Sequence, residues 1–211
     1  MQRIDDAHAV RQEYTRLANR YDRRWAGYIR ATVDETVRRV TIRPGDRVLD
    51  VGCGTGVLLA SVVASTPGAT LVGLDLCHEM LRVAQRRVPS GTVLVTADAE
   101  SLPFGPGTFD VVVSNSSFHY WKAPARGMAE ISRVLATGGR FVVTDWCDDY
   151  VTCRICDLAL RLFRRPHQRV YGLDECRAFA TTAGFQVTAA VRYKINWLWG
   201  LMTVSATKAV V

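Results

Sequence analysis

Three glycines within five residues, placed directly after an apolar run, constrain this chain more than any other feature. Residues 47–56 read RVLDVGCGTG. Val48, Leu49 and Val51 have the content of a short buried strand. Gly52, Gly54 and Gly56 let the backbone turn and a ligand approach closely, because no Cβ stands in the way. The apolar run from Val57 starts a helix, so the turn is expected to present free amide N–H groups at a helix N-terminus, where anionic groups bind. The spacing is G-x-G-x-G. A dinucleotide-binding turn is G-x-G-x-x-G, and Val57 stands where its third glycine belongs. Asp50, two residues before Gly52, is ill suited to a pyrophosphate and suits a cationic ligand.

Two more acidic residues follow at the ends of apolar runs. Asp75 closes the strand-like segment 69–74 and lies nineteen residues past Gly56, near the separation at which a carboxylate meets ribose hydroxyls. Asp98 follows a third run at 92–95, and residues 133–139 read RVLATGG. Glycine turn, spaced carboxylates and this later segment together resemble the class I S-adenosylmethionine-dependent methyltransferases, with a layout similar to their small "type 11" branch. The resemblance implies S-adenosyl-L-methionine as cofactor, with Asp75 on its ribose and Asp98 on its adenine amino group. It further implies cofactor contacts from Tyr14, Tyr21, Asp50, Gly52, Cys53, Gly54, Gly56, Leu76, Met80, Ala99 and Asn115. Acceptors in that branch are metabolites, quinone precursors and lipid head groups.

Alternation of strands and helices from residue 46 onward is the pattern of a parallel sheet covered on both faces. With the resemblance, the expected fold is α/β, a Rossmann-like three-layer sandwich. Its seven-stranded, mostly parallel sheet would end in an antiparallel last strand built from the runs 185–191 and 201–208. Residues 1–43 are helical in pattern, with Val10, Tyr14, Leu17, Ala18 and Tyr21 at three- and four-residue steps. They are expected to form an N-terminal helical cap over a methyltransferase domain at 44–211. Within that domain, 146–171 departs most from the common core and is expected to shape the acceptor site.

Methyl transfer needs alignment and exclusion of water more than an acid–base dyad, and positioning alone can supply about 7–11 kcal/mol of a barrier. A base is needed only where the acceptor is protonated. His119, just after the fourth strand, is the best candidate; Tyr21 is the second catalytic candidate. Substrate contact and a structural hydrogen-bonding role for His119 stay open. Cys147, Cys153 and Cys156 contain a Cys-x-x-Cys, but 151–163 reads as a helix and a second pair is missing, so buried core cysteines are expected and no metal site.

Composition narrows the rest. A chain of 211 residues with 48% hydrophobic content suits one domain. No apolar stretch reaches the roughly 18 residues a membrane span needs, and the cysteines and polar N-terminus suit a reducing cytoplasm. The net charge of +7 is mostly arginine. Its residues are scattered, apart from Arg161, Arg164, Arg165 and Arg169 near His167. The expected partner is a small-molecule acceptor. A nucleic-acid methyltransferase is the rival reading, against which stands Ser114-Asn115-Ser116-Ser117 in place of an Asn-Pro-Pro-Tyr-like motif. The other rivals are a non-catalytic S-adenosylmethionine-binding protein and a fold member performing another reaction.

Overall fold

A computed structural model describes residues 6–163 and 169–209; Arg164, Arg165 and His167 lie outside the described residues. Seven strands form one sheet in the order β3-β2-β1-β4-β5-β7-β6. β1 (Arg47–Val51), β2 (Thr70–Asp75), β3 (Val93–Thr96), β4 (Phe109–Asn115) and β5 (Leu135–Trp146) pair in parallel. β7 (Gly200–Lys208) pairs antiparallel with both β5 and β6 (Phe185–Lys194). The expected reversed last strand is therefore present, inserted between β5 and β6. Strand order reverses between β1 and β4, and the crevice at the carboxyl ends of such neighbours is where open α/β sheets bind ligands.

Alternation within β1 divides the core. Leu49 and Val51 join Met128 and Ile131 of α4 (Pro124–Val134) and Cys176 and Ala180 of α6 (Leu173–Thr182). Val48 joins Val33 of α1 (Asp6–Arg39) and Leu58, Leu59 and Val62 of α2 (Val57–Ser65) on the opposite face. Burying each such side chain contributes about 1.5–3 kcal/mol, so both faces hold the sheet and its glycine turn in place.

The expected helical segment is one 34-residue helix, α1, kinked at Trp25 (φ −113°, ψ 18°). α3 spans His78–Ala84. Past Ala84 the amides of Arg86 and Arg87 bond three residues back, to Val83 and Ala84, which tightens the chain into turns before Pro89. α6 has no counterpart in the sequence reading. α5 (Val151–Leu162) lies where a helix was expected. Among the described residues no helix is long and apolar enough to cross a membrane.

Candidate active site

One cavity of about 600 Å³ opens at the carboxyl ends of β1, β2 and β4, under α1. Its floor holds Asp50, Gly52, Cys53, Gly54, Asp75 and Leu76, with Met80, Asp98 and Ala99 toward the β3 side, Asn115 on the β4 side, and Tyr14 and Tyr21 from α1 above. Twelve of the thirteen expected cofactor residues thus share one cavity. Gly56 is the exception. It caps α2 at φ 76°, and a Cβ there would stand 3.0 Å from Ala84 Cβ and Val88 Cγ1, so its glycine serves the contact between α2 and the end of α3.

Four amides of the glycine turn are already engaged. Gly52 and Cys53 donate to Leu74 O (2.7 and 2.9 Å), Gly56 donates to Cys53 O (2.9 Å), and Gly54 donates to Asp75 Oδ2 (2.8 Å). The turn folds back over the end of β2 and spends the Gly52, Cys53 and Gly54 N–H groups on it, while that of Gly56 closes the turn on itself. Asp75 also accepts from Cys77 N (2.8 Å). Burial pushes its carboxyl up while these backbone donors pull it down.

Asp50 has no such help. It is 1% exposed, and both carboxylate oxygens lack a hydrogen-bond partner. Burial, and then the neighbouring Asp75 charge, push its carboxyl up to about 8. An orphaned buried carboxylate facing a cavity calls for a cationic or donor-bearing ligand.

Opposite this acidic floor stands an aromatic wall. Tyr14 OH donates to Tyr120 OH (2.9 Å), and the Tyr14 ring packs against Tyr21 and Tyr120 with centroids 5.6 Å away from each. Tyr28 OH lies 2.8 Å from Ser116 Oγ and accepts from Trp146 Nε1 (2.6 Å). Burial raises the phenol of Tyr21 to about 12 and also pushes up those of Tyr14, Tyr28 and Tyr120, so at neutral pH all four are neutral. Ser116 is the one described non-glycine residue at positive φ (57°); such strain gathers at functional sites. Tyr28, Ser116 and Tyr120 escaped the sequence reading. Helical spacing from Tyr21 to Tyr28 was the signal for one of them; nothing local marked the others.

His119 is not among the cavity's lining residues. It sits in a single 3₁₀ turn (Phe118–Tyr120) that rotates its side chain into the interior, where it is 4% exposed. Its Nδ1 lies 2.7 Å from Asp145 Oδ1, its backbone N–H donates to Asp145 Oδ2 (3.1 Å), and its ring stacks on Trp146 at 4.9 Å. The expectation that His119 faces the ligand is not met; the neighbouring Tyr120 takes that position. Nor does any described residue of 146–171 line the cavity, because the segment packs outside it: Cys153 Sγ donates to Gly200 O (3.3 Å), and Cys147 bonds Asp149 Oδ2 (3.4 Å). Among the described residues no group of three or more His, Cys, Asp or Glu is placed to hold a metal.

A latch joins α1 to the glycine turn. Thr55 Oγ1 donates to Asp22 Oδ1, Arg87 Nη2 to Asp22 Oδ2 and Arg87 Nη1 to Thr55 O, each at 2.6 Å. Asp22 and Arg87 are about one-third exposed (32% each), which weakens the ion pair but leaves three charge-assisted bonds. Asp22→Ala should therefore loosen α1 over the cavity and speed cofactor dissociation several-fold in rapid-mixing experiments.

A reversed last hairpin on a parallel sheet, a glycine turn and carboxylates at the strand ends define a Rossmann-like fold whose crevice suits a cationic ligand. A family model described as a methyltransferase domain matches residues 49–143. The malonyl-[acyl-carrier protein] O-methyltransferase of Geobacter sulfurreducens is 32% identical over 192 residues, 86% of this chain and 71% of that protein. The demethylmenaquinone methyltransferase of Symbiobacterium thermophilum is 34% identical over 147 residues, 63% of this chain and 57% of that protein. The methyltransferase of a Haloferax volcanii complex with the Trm112 methyltransferase activator shares the fold, with a TM-score of 0.77 over 100% of both chains at 21% identity. The chain belongs to the S-adenosylmethionine-dependent methyltransferases of class I, and S-adenosylmethionine is its cofactor.

Proposed function

We propose that the cavity holds S-adenosylmethionine against its acidic floor and a flat, largely apolar small-molecule acceptor against its aromatic wall. Bound there, the cofactor supplies a methyl group activated on a sulfonium. Asp75 keeps acceptor capacity beyond its bonds to Gly54 and Cys77 and is suited to ribose hydroxyls; Asp98 stands at the rim for the adenine amino group. Asp50 provides the unpaired carboxylate for the cofactor's cationic end. Residues 1–43 act as the cap over 44–211, with Tyr14 and Tyr21 excluding water.

The single observation that carries the acceptor reading is the wall of Tyr14, Tyr21, Tyr28 and Tyr120 on a cavity of about 600 Å³, a size and lining typical of small-molecule sites. These neutral phenols orient an acceptor through hydrogen bonds; they do not remove its proton. Tyr21 thus acts as a positioning group at the acceptor, and His119, paired to Asp145, holds the Tyr120 turn in place. Turnover should follow the acceptor's own ionisation, so a carboxylate or hydroquinone fits better than an alcohol. The relatives named for malonyl-[acyl-carrier protein] and demethylmenaquinone fall on that side. Arg47, Arg133 and Arg140 are each paired to a carboxylate (Asp110, Glu130 and Asp46), which leaves less free positive charge for a nucleic-acid backbone.

The test is S-adenosylhomocysteine release with a panel of hydroquinones, short dicarboxylic thioesters and RNA. Turnover on a hydroquinone or carboxylate, with kcat rising through the acceptor's own pKa, is expected. Turnover on RNA alone would reverse the reading.

A further inference from the structure

Helix α5 turns an apolar stripe outward. Its inward face is fixed by buried Cys153, which exchanges hydrogen bonds with Gly200. Val151, Ile155, Leu158 and Leu162 recur at helical spacing on the opposite side. With Phe163 they are between 57% (Leu158) and 78% (Phe163) exposed, although a surface helix ordinarily turns such a stripe to the core. The tip of the β6–β7 hairpin stands beside the first turn of α5, with Gly200 against the Tyr150 ring and Lys194 Nζ 5.6 Å from that ring's centroid. Asn196 Oδ1 accepts from the backbone of Leu198 (2.9 Å) and Trp199 (2.7 Å). That fixed turn holds Trp197 80% exposed. It is also continuous with the active site, because Trp199 packs on Tyr28 at 5.4 Å and Tyr28 lines the cavity.

We propose that α5 and the Trp197 turn form a face that docks on an anionic lipid bilayer. Arg154 and Arg161 line one side of the stripe, and Arg192 and Lys194 close β6 just before the turn. Against these four cations stand Asp148, Asp149 and Asp157, in a chain of net charge +7. Arg154, Arg161 and Arg192 are each also paired to an aspartate, Asp148, Asp157 and Asp149, and Lys194 leaves the described face net positive. An apolar helical stripe edged by arginines, with an exposed tryptophan at one end, is the composition of a helix lying in the membrane interface. A second copy of the chain is the weaker fit, since two such faces would oppose their arginines. The surface stands independently of the acceptor reading, although it places the cavity beside the phase in which an apolar acceptor would be dissolved.

Sedimentation with vesicles of phosphatidylcholine, with and without phosphatidylglycerol, tests it. The protein should bind the anionic vesicles about tenfold or more tighter than the neutral ones, less so as salt is added, with a blue shift of tryptophan emission. Ile155→Glu combined with Leu162→Glu, and separately Trp197→Ser, should each reduce anionic-vesicle binding about tenfold while cofactor affinity and melting temperature stay unchanged. Failure of the wild-type chain to bind anionic vesicles would overturn the proposal. So would variants that bind as well as wild type, or a sedimentation-velocity dimer that the same substitutions dissociate.

Discussion

Asp50→Asn should make the cofactor-free protein more stable at neutral pH and at the same time weaken S-adenosylmethionine binding. The buried carboxyl is held at about 8 in the folded chain, against roughly 3.9 when unfolded. A folded-state pKa raised in this way contributes stability that is complete below the unfolded value and lost as pH rises toward 8. By pH 7 the cofactor-free chain has forgone on the order of a few kcal/mol that the Asn variant retains. At about 2–4 °C per kcal/mol for a chain of this size, the variant should melt several degrees higher at pH 7 and equally at pH 4. Binding runs the other way. A cation seated beside Asp50 favours the ionised form, so wild-type affinity should rise with pH up to about 8, and binding should release protons. The variant should bind about 10–100-fold more weakly at pH 8, the worth of a lost charge-assisted bond, with a flat pH profile. Equal affinity and equal pH dependence in the two proteins would remove Asp50 from the site.

Gly52→Ala should abolish measurable cofactor binding in a protein that still folds in the cold. Gly52 sits at φ 79°, and an added Cβ would stand 2.3 Å from Ser117 Cβ and 2.4 Å from its Oγ. Ser117 cannot retreat easily, since its hydroxyl donates to Val51 O (3.0 Å) and lies 2.8 Å from Ser114 Oγ. Either the glycine turn or the Ser116–Ser117 corner must move, and both line the cavity. The left-handed conformation alone costs about 1–2 kcal/mol for a residue with a Cβ, and the overlap adds about 1–3 kcal/mol. Gly138→Ala separates the two contributions: that glycine has φ 72° with nothing within 4 Å of a new Cβ. It should lose only the conformational part and keep full cofactor affinity.

The sheet and the cavity floor were legible because they rest on periodicity and on position along strands. Val48 and Leu49 alternate to opposite faces, and any acidic residue at the carboxyl end of β1 or β2 must meet the crevice. Turn geometry was not legible. Whether His119 or Tyr120 faces the ligand depends on one 3₁₀ turn, and the two residues are equally polar and adjacent in sequence. The glycines announced a close approach, but not that Leu74 O and Asp75 would take up their amides. The segment 146–171 shows a different gap. Its apolar residues read as pocket-forming, and periodicity cannot distinguish a stripe turned to the core from one turned to solvent.

The central claim is that Asp75 and the acidic floor bind S-adenosylmethionine, and calorimetric titration of the cofactor into wild type, Asp75→Asn and Asp75→Ala tests it most directly. Two hydroxyl bonds to an ionised carboxylate are each worth about 1.5–3 kcal/mol. Wild type should bind one equivalent, Asp75→Ala should bind at least about tenfold more weakly, and Asp75→Asn should fall between, with all three showing the same far-ultraviolet circular dichroism. Folded Asp75 variants with wild-type affinity, or a wild-type chain that does not bind the cofactor, would contradict the account.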